Sequence, residues 1–272
     1  MLFFAVASLA WSATDAAAQS RAALESQRID WSYASTFGTG IYTIGNRTVT
    51  VLRVPLSLRW RAPDDDGRWG IRLKLPITVG YYNVPNDLGD LFSHNFATVS
   101  ALPGIEFEKR LTPRWSIRPT ISYGVGQDLN TGNRSALYEI GARSLYRIPV
   151  REGEVSIANA LLFSGNNPRD GQRQNFGVLA TGLNFIFPIG EMFVGGPANA
   201  GVHLIHYLFF DRLDFFVNPD TRSRINQQYE IAVTLGTYQP ISFYGFELDR
   251  IGIGVQGGEG LLAVRLVSGF IF

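Results

Sequence analysis

From its first tens of residues to its end, the chain repeats one pattern: short segments in which apolar and polar residues alternate with a period of two. Thr48 to Arg61 sets Leu52, Val54, Leu56, Leu58 and Trp60 on one face and Arg53, Ser57, Arg59 and Arg61 on the other. Gly70 to Val84 sets Ile71, Leu73, Leu75, Ile77 and Val79 against Arg72, Lys74 and Thr78. Successive side chains of a strand point to opposite faces, so each segment meets something apolar on one side and something wet on the other. Counting such segments between turn signals gives about twelve. They are Trp31–Ile44, Thr48–Arg61, Gly70–Val84, Phe96–Leu111, Trp115–Gly126, Ser135–Val150, Val155–Ser164, Phe176–Ile189, Gly201–Leu213, Gln228–Ile241, Leu248–Gln256 and Leu261–Phe272. The expected fold is all-β: a transmembrane antiparallel up-and-down β-barrel of about 12 strands, an even number that leaves both ends of the chain on the periplasmic side.

Composition narrows the alternatives. Charged residues make up 17% of the 272 residues, well below the ~25% of an ordinary soluble surface. Beyond the N-terminus no apolar run approaches the ~18 residues of a spanning helix. A soluble β-sandwich would have to account for an apolar face that continues through nearly every segment. The net charge of +1 and the lack of binding motifs argue against a nucleic-acid partner. With no cysteine, disulfides, thiol catalysis and cysteine-ligated zinc are excluded, and no cofactor is implied.

Cost assigns the faces. A charge on the lipid side costs up to ~2–4 kcal/mol near the midplane. Arg53, Arg59, Arg72, Lys74, Arg118, Arg143, Arg147, Arg250 and Arg265 are therefore expected to line the lumen, with Glu106, Glu108, Glu139 and Glu230 on the same faces. Cations exceed carboxylates in that set. The lumen either favours anions or is closed by side chains that satisfy one another. Trp31, Trp60, Trp69, Trp115, Tyr81, Tyr123, Tyr138 and Tyr146 fall near segment ends, as girdle aromatics do. Gly201 to Leu213 is apolar on both faces and cannot be oriented by this rule. If the first strand runs outward, the connections 85–95, 128–134, 165–175 and 214–227 are external, where lipopolysaccharide is a candidate contact. The long, apolar connection from Ile189 to Ala200 is where a strand is most easily miscounted. Asp64-Asp65-Asp66-Gly67 lacks the ligand spacing of a calcium loop and reads as a solvated turn.

The ends add two addresses. Residues 1–18 have an apolar core from Leu2 to Trp11 and a small-residue site at Ala16-Ala17-Ala18, as in a secretory signal peptide. No Lys or Arg precedes that core, which suggests a start inside a longer signal. A buried N-terminal helix is the competing reading. At the other end, Leu262, Val264, Leu266, Ser268, Phe270 and Phe272 share one face. A last strand closing on phenylalanine resembles the signal read by the barrel-assembly machinery, and Phe270 and Phe272 are its expected carriers.

The stretch from Leu248 through Gly257-Gly258-Glu259-Gly260 to Phe272 resembles the last hairpin of solitary outer-membrane autotransporter-like barrels. Phe187-Pro-Ile-Gly-Glu-Met-Phe193 and Gly195 to His203 fit the same family. The resemblance implies a translocator-like barrel over residues 29–272, embedded in outer-membrane lipid, without a passenger domain and with no assigned catalytic residues. Residues 19–28 would then be either a stub of a pore-threading helix or a periplasmic tail.

Some outer-membrane barrels hydrolyse phospholipid or lipid A acyl chains, so the three histidines need weighing. His94 lies in an expected external loop. His203 and His206 are three apart on one strand and so face opposite ways. No His-x-Ser occurs, and a triad drawn from distant strands, for example His206 with Asp211, is the only catalytic constellation left. The expected role is structural or that of a passive pore, not that of an enzyme.

Overall fold

The computed structural model describes residues 38–44, 47–64, 67–82, 96–169, 173–192, 196–218, 221–243, 246–268 and 270. The expected signal segment, the segment 19–28, Trp31, His94 and Phe272 lie outside these residues. All regular structure among the described residues is strand: β1 Gly40–Ile44, β2 Arg47–Arg61, β3 Gly70–Tyr82, β4 Phe96–Ala101, β5 Gly104–Thr112, β6 Trp115–Asp128, β7 Arg134–Val150, β8 Gly153–Pro168, β9 Gln174–Met192, β10 Gly196–Asn218, β11 Thr221–Phe243, β12 Phe246–Gly258 and β13 Leu261–Val267.

Apart from β4 and β5, which do not pair with each other, each strand pairs antiparallel with the next, and β13 pairs with β1 in the register Gly40↔Arg265 to Ile44↔Leu261, which closes the sheet on itself. β4 and β5 both lie between β3 and β6 and form one stave, so the barrel has 12 staves. They correspond one for one to the segments read from the alternation. A sandwich of two sheets is overturned by this closure.

The break between β4 and β5 falls at Leu102-Pro103, inside what the sequence presents as one segment. Proline has no N–H for the ladder, and the chain bulges there. Leu102 N–H donates to Pro76 O at 3.1 Å, and Pro103 O accepts from Tyr123 N–H at 2.9 Å. Opposite the bulge stands Gly124, where a Cβ would come within 2.8 Å of Leu102 Cα. Among its described residues, the connection from Ile189 to Ala200 holds no strand beyond β9 and β10. β9 and β10 run longer than expected and pair to Gly196↔Met192. The connection expected over 214–227 is likewise mostly ladder, with β10 and β11 paired as far as Asn218↔Thr221.

Polarity is reversed relative to a soluble domain. Along β11, Ile231 and Val233 are 53% and 54% exposed while Glu230 and Thr234 are 3% and 1%. On β6, Ile121, Tyr123 and Val125 point out and Ser116, Thr120 and Ser122 are buried; on β13, Leu262, Val264 and Leu266 point out. Trp60, Trp115 and Tyr146 are exposed near strand ends, and Trp115 and Tyr146 are register partners. Tyr81 departs from the girdle expectation. It is buried, beside the point where β4 carries an extra residue opposite the Gly80–Tyr81 step. Trp69 is half-buried and packs edge-on against Phe107, and Tyr138 is half-buried with its hydroxyl on Asn175.

Candidate functional site in the barrel interior

The inward faces of the strands build three layers. The first is apolar. Tyr42, Val51, Phe176, Val178, Ala180, Ile205, Tyr207, Phe209, Ile225, Leu261 and Ala263 form one buried cluster from six staves. Phe176, Phe209, Ile225 and Leu261 lie toward the barrel end that carries the β12–β13 turn, so that end is filled with side chains. β10 explains why its sequence has two apolar faces: Leu204, Leu208 and Phe210 point outward, while Ile205 and Phe209 enter this cluster.

The second layer centres on Glu230. His203 Nε2 lies 3.3 Å from Glu230 Oε1, Tyr207 Oη donates to Oε2 at 2.9 Å, and Arg265 Nη1 donates to the same Oε2. Gln228 and Gln256, both fully buried, hydrogen-bond to each other beside it. Three side chains from β10 and β13 thus share one carboxylate of β11, and each keeps a partner away from water.

The third layer lies on β3, β5, β6 and β7. Arg118 and Arg143 are directly opposite across β6 and β7, a placement that like charges disfavour. Each is drawn to a carboxylate of β5: Arg118 Nη2 to Glu108 Oε1 at 3.0 Å and Arg143 Nη1 to Glu106 Oε2 at 3.2 Å. Arg72 Nη1 stands 3.9 Å from the other oxygen of Glu106. Lys74 Nζ on β3 reaches Glu139 on β7 at 3.7 Å, past the two staves between them. Arg53 is half-buried on the inward face of β2, where Thr39 Oγ1 extends the β1–β2 ladder through both the N–H and the C=O of Arg53 at 2.9 Å. Arg250 donates to Asn199 Oδ1. Arg59 is exposed near the end of β2, and Arg147 Nε meets Glu154 at 3.7 Å close to the β7–β8 turn, so these two sit toward a rim.

Of the two residues considered for catalysis, His206 stacks on Tyr229 with ring centroids 4.8 Å apart and has Nε2 3.4 Å from Gln227 Oε1. The side chain of Asp211 lies outside the described residues. His203, not His206, enters a charged cluster. The sequence signal that could have selected it is its shared parity with Ile205, the register partner of the inward Glu230 on the next strand, and with Tyr207. Asp64 accepts the N–H of Arg68 at 2.8 Å and pairs with its guanidinium at 3.1 Å, as a self-contained turn.

Phe270 is not on the outward face with Leu262, Val264 and Leu266. The ladder of β13 ends at Val267, and the Phe270 ring lies inside the barrel, 5.5 Å from the ring of His203.

The sequence matches no family model. No curated protein matches it either. Among solved structures, the beta domain of the Bordetella autotransporter BrkA matches with a TM-score of 0.51 at 13% identity, covering 84% of this chain and 94% of that one. At that identity the likeness concerns the fold, and the fold is that of an autotransporter-like barrel.

Proposed function

We propose that the chain is a bacterial outer-membrane β-barrel of translocator type whose role is structural, with an interior that is closed at rest. The observation that carries this reading is the reversed polarity: an apolar belt faces outward on stave after stave while carboxylates and guanidiniums pair within. In lipid every backbone group must be satisfied internally, and a closed ladder does this without an edge. In this reading the first 18 residues address the chain for secretion, the end of the chain addresses it to the barrel-assembly machinery, and outer-membrane lipid and lipopolysaccharide surround the belt. The inward cations outnumber the inward carboxylates named above, so an opened lumen would favour anions.

Fractionation with a heat-modifiability gel tests the placement. The expected result is an outer-membrane band that migrates as a compact species unheated and shifts after boiling; a band in the soluble fraction would overturn it. Single-channel recording tests the closure. Folded wild-type protein is expected to give no steady open current, and a steady anion-selective current would restore the passive-pore reading. No observation favours an acyl hydrolase over this role, and His206→Ala is expected to leave barrel assembly unchanged.

A further inference from the structure

A line of polar side chains interrupts the outward apolar belt. Ser144 on β7, Asn159 on β8, Thr181 on β9, His206 on β10 and Tyr229 on β11 are register partners in succession. Asn159, Thr181 and Tyr229 are exposed, and Ser144 and His206 share the outward parity of Ile140 and Leu204 on their strands. The interruption is sharp. Ile157 and Leu161 flank Asn159, Leu179 and Leu183 flank Thr181, and Leu204 and Leu208 flank His206, all of them exposed. Within the line, Thr181 Oγ1 donates to Asn159 Oδ1 at 3.0 Å, His206 Nε2 lies 3.4 Å from Gln227 Oε1, and Tyr229 Oη donates to that same oxygen at 3.2 Å. Trp115 Nε1 donates to Ser144 Oγ at 2.8 Å. None of these side chains is an Asp, Glu, Lys or Arg.

The line runs from one end of the barrel toward the other. Trp115 is the first residue of β6, beside the β5–β6 turn, and the partner of Tyr229 on β12 is Gly257, beside the β12–β13 turn. Those turns lie at opposite ends, because the antiparallel strands β6 to β12 run between them. A row at right angles to the strands climbs out of the membrane plane at the angle by which the strands tilt from its normal, ~35–45°. It offers a polar group on every strand, about 4.8 Å apart. A polar side chain in hydrocarbon forgoes the hydrogen bonds that water would supply, so the row calls for an occupant that is polar and follows it. A second copy of this chain does not follow it. Paired copies in one membrane are related by an axis along its normal, and two oblique rows that face each other cross at a single point. We infer that the row is a path for phospholipid headgroups: it lends a headgroup hydrogen-bond partners strand by strand while the acyl chains stay in the lipid, and so carries phospholipid between the two leaflets. Hydroxyl, amide and imidazole groups both donate and accept, and without a lysine or arginine in the row no step traps the phosphate. The path lies on the outside of the barrel and needs no opening of the filled interior. It rests on the outer-membrane barrel reading, and insertion and lipid transfer are measured separately.

The test places the full chain in phospholipid vesicles that carry a trace of short-chain fluorescent phosphatidylethanolamine in both leaflets. Serum albumin is too large to pass the vesicle wall and extracts label from the outer leaflet alone. Bare vesicles are expected to release the outer-leaflet share at once and the rest slowly, whereas wild-type vesicles release nearly all of the label. Asn159→Leu with Thr181→Val and His206→Leu makes the row apolar, which suits the belt, so the heat-shifting band is expected to remain. Release from the inner leaflet is expected to slow at least roughly tenfold, the effect of losing one hydrogen bond to a charged group. Release from wild-type vesicles no faster than from bare ones, or equal in wild type and variant, overturns the path. A wild-type chain that gives no heat-shifting band in the vesicles overturns the outer-membrane reading and the path with it. Should the triple variant lose the band, Thr181→Val alone, which keeps the shape of the side chain, is held to the same comparison. The chain has no cysteine, so Thr181→Cys carries its only thiol. Oxidised at a low ratio of protein to lipid, it is expected to stay monomeric; a disulfide-linked dimer as the main species would seat a second copy on the row and overturn the path.

Discussion

Glu230 and Ile231 stand side by side on β11 and obey opposite rules. Glu230 is buried among His203, Tyr207 and Arg265, while Ile231 belongs to the outward belt. Removing one member of a buried charged set leaves the others unpaired, so Glu230→Ala is expected to cost about 3–5 kcal/mol. Replacing both charges with apolar side chains, as in Glu230→Leu with Arg265→Met, should recover most of that loss, because no lone guanidinium remains. Ile231→Arg puts a charge into the belt and should cost about 2–4 kcal/mol if the belt meets lipid at that depth. Urea unfolding in lipid vesicles measures all three. A soluble fold would tolerate Ile231→Arg at its half-exposed position, so the second figure also tests the environment. The same logic of cost made Glu230 and Arg265 legible as inward residues from the sequence. It left His203 unassigned, because a histidine among Leu204, Ile205 and Leu208 carries no fixed charge to be priced.

Among the elements, the β12–β13 hairpin has the clearest local chemistry. Its two-residue turn, Glu259-Gly260, has φ of 46° and 86°, the positive pair that a tight type I′ hairpin requires. The Glu259 carboxylate accepts the backbone N–H groups of Asn226, and of Gln227 at 3.2 Å, on neighbouring β11. The Asn226 N–H bond above all, with that of Gln227, holds the Glu259 carboxyl below the usual carboxylate range, against a smaller opposing effect of desolvation. A depressed folded value means that this anchor is complete above the ordinary glutamate value and is lost as pH falls through the folded one. Amide exchange at Asn226 and Gln227, corrected for intrinsic rate, should show protection near neutrality that fades on acidification. Glu259→Gln should remove the fading; an unchanged pH profile in that variant would sink the anchor. Turn chemistry of this kind is local and can be read in advance, as Gly258-Glu259-Gly260 shows. The break at Leu102-Pro103 was missed because a single proline interrupts the ladder without interrupting the alternation around it.

At the scale of the whole molecule, closure is what a single strand cannot reveal. Period-two alternation identified the staves, but the β1–β13 pairing depends on strand number and tilt, and the filled interior depends on which inward faces meet across the bore. β10 looked unreadable because its two apolar faces serve two different environments, outer belt and inner cluster. Closure has a test that no edge strand would pass. Backbone N–H groups of successive residues in a strand point to opposite neighbours, and β13 is bonded to β12 on one side and β1 on the other across the same residues, Ala263↔Gln256 and Ala263↔Tyr42, Val264↔Val255 and Val264↔Ile41. Proline removes the donor. In an open sheet with β13 at the edge, one of Ala263→Pro and Val264→Pro would delete a ladder bond and the other only a solvent-facing N–H. In the closed barrel both delete a ladder bond. Both variants are therefore expected to lose the heat-shifting band or unfold at markedly lower urea. If one of the pair keeps wild-type stability, β13 has a free edge and the sheet is not a barrel.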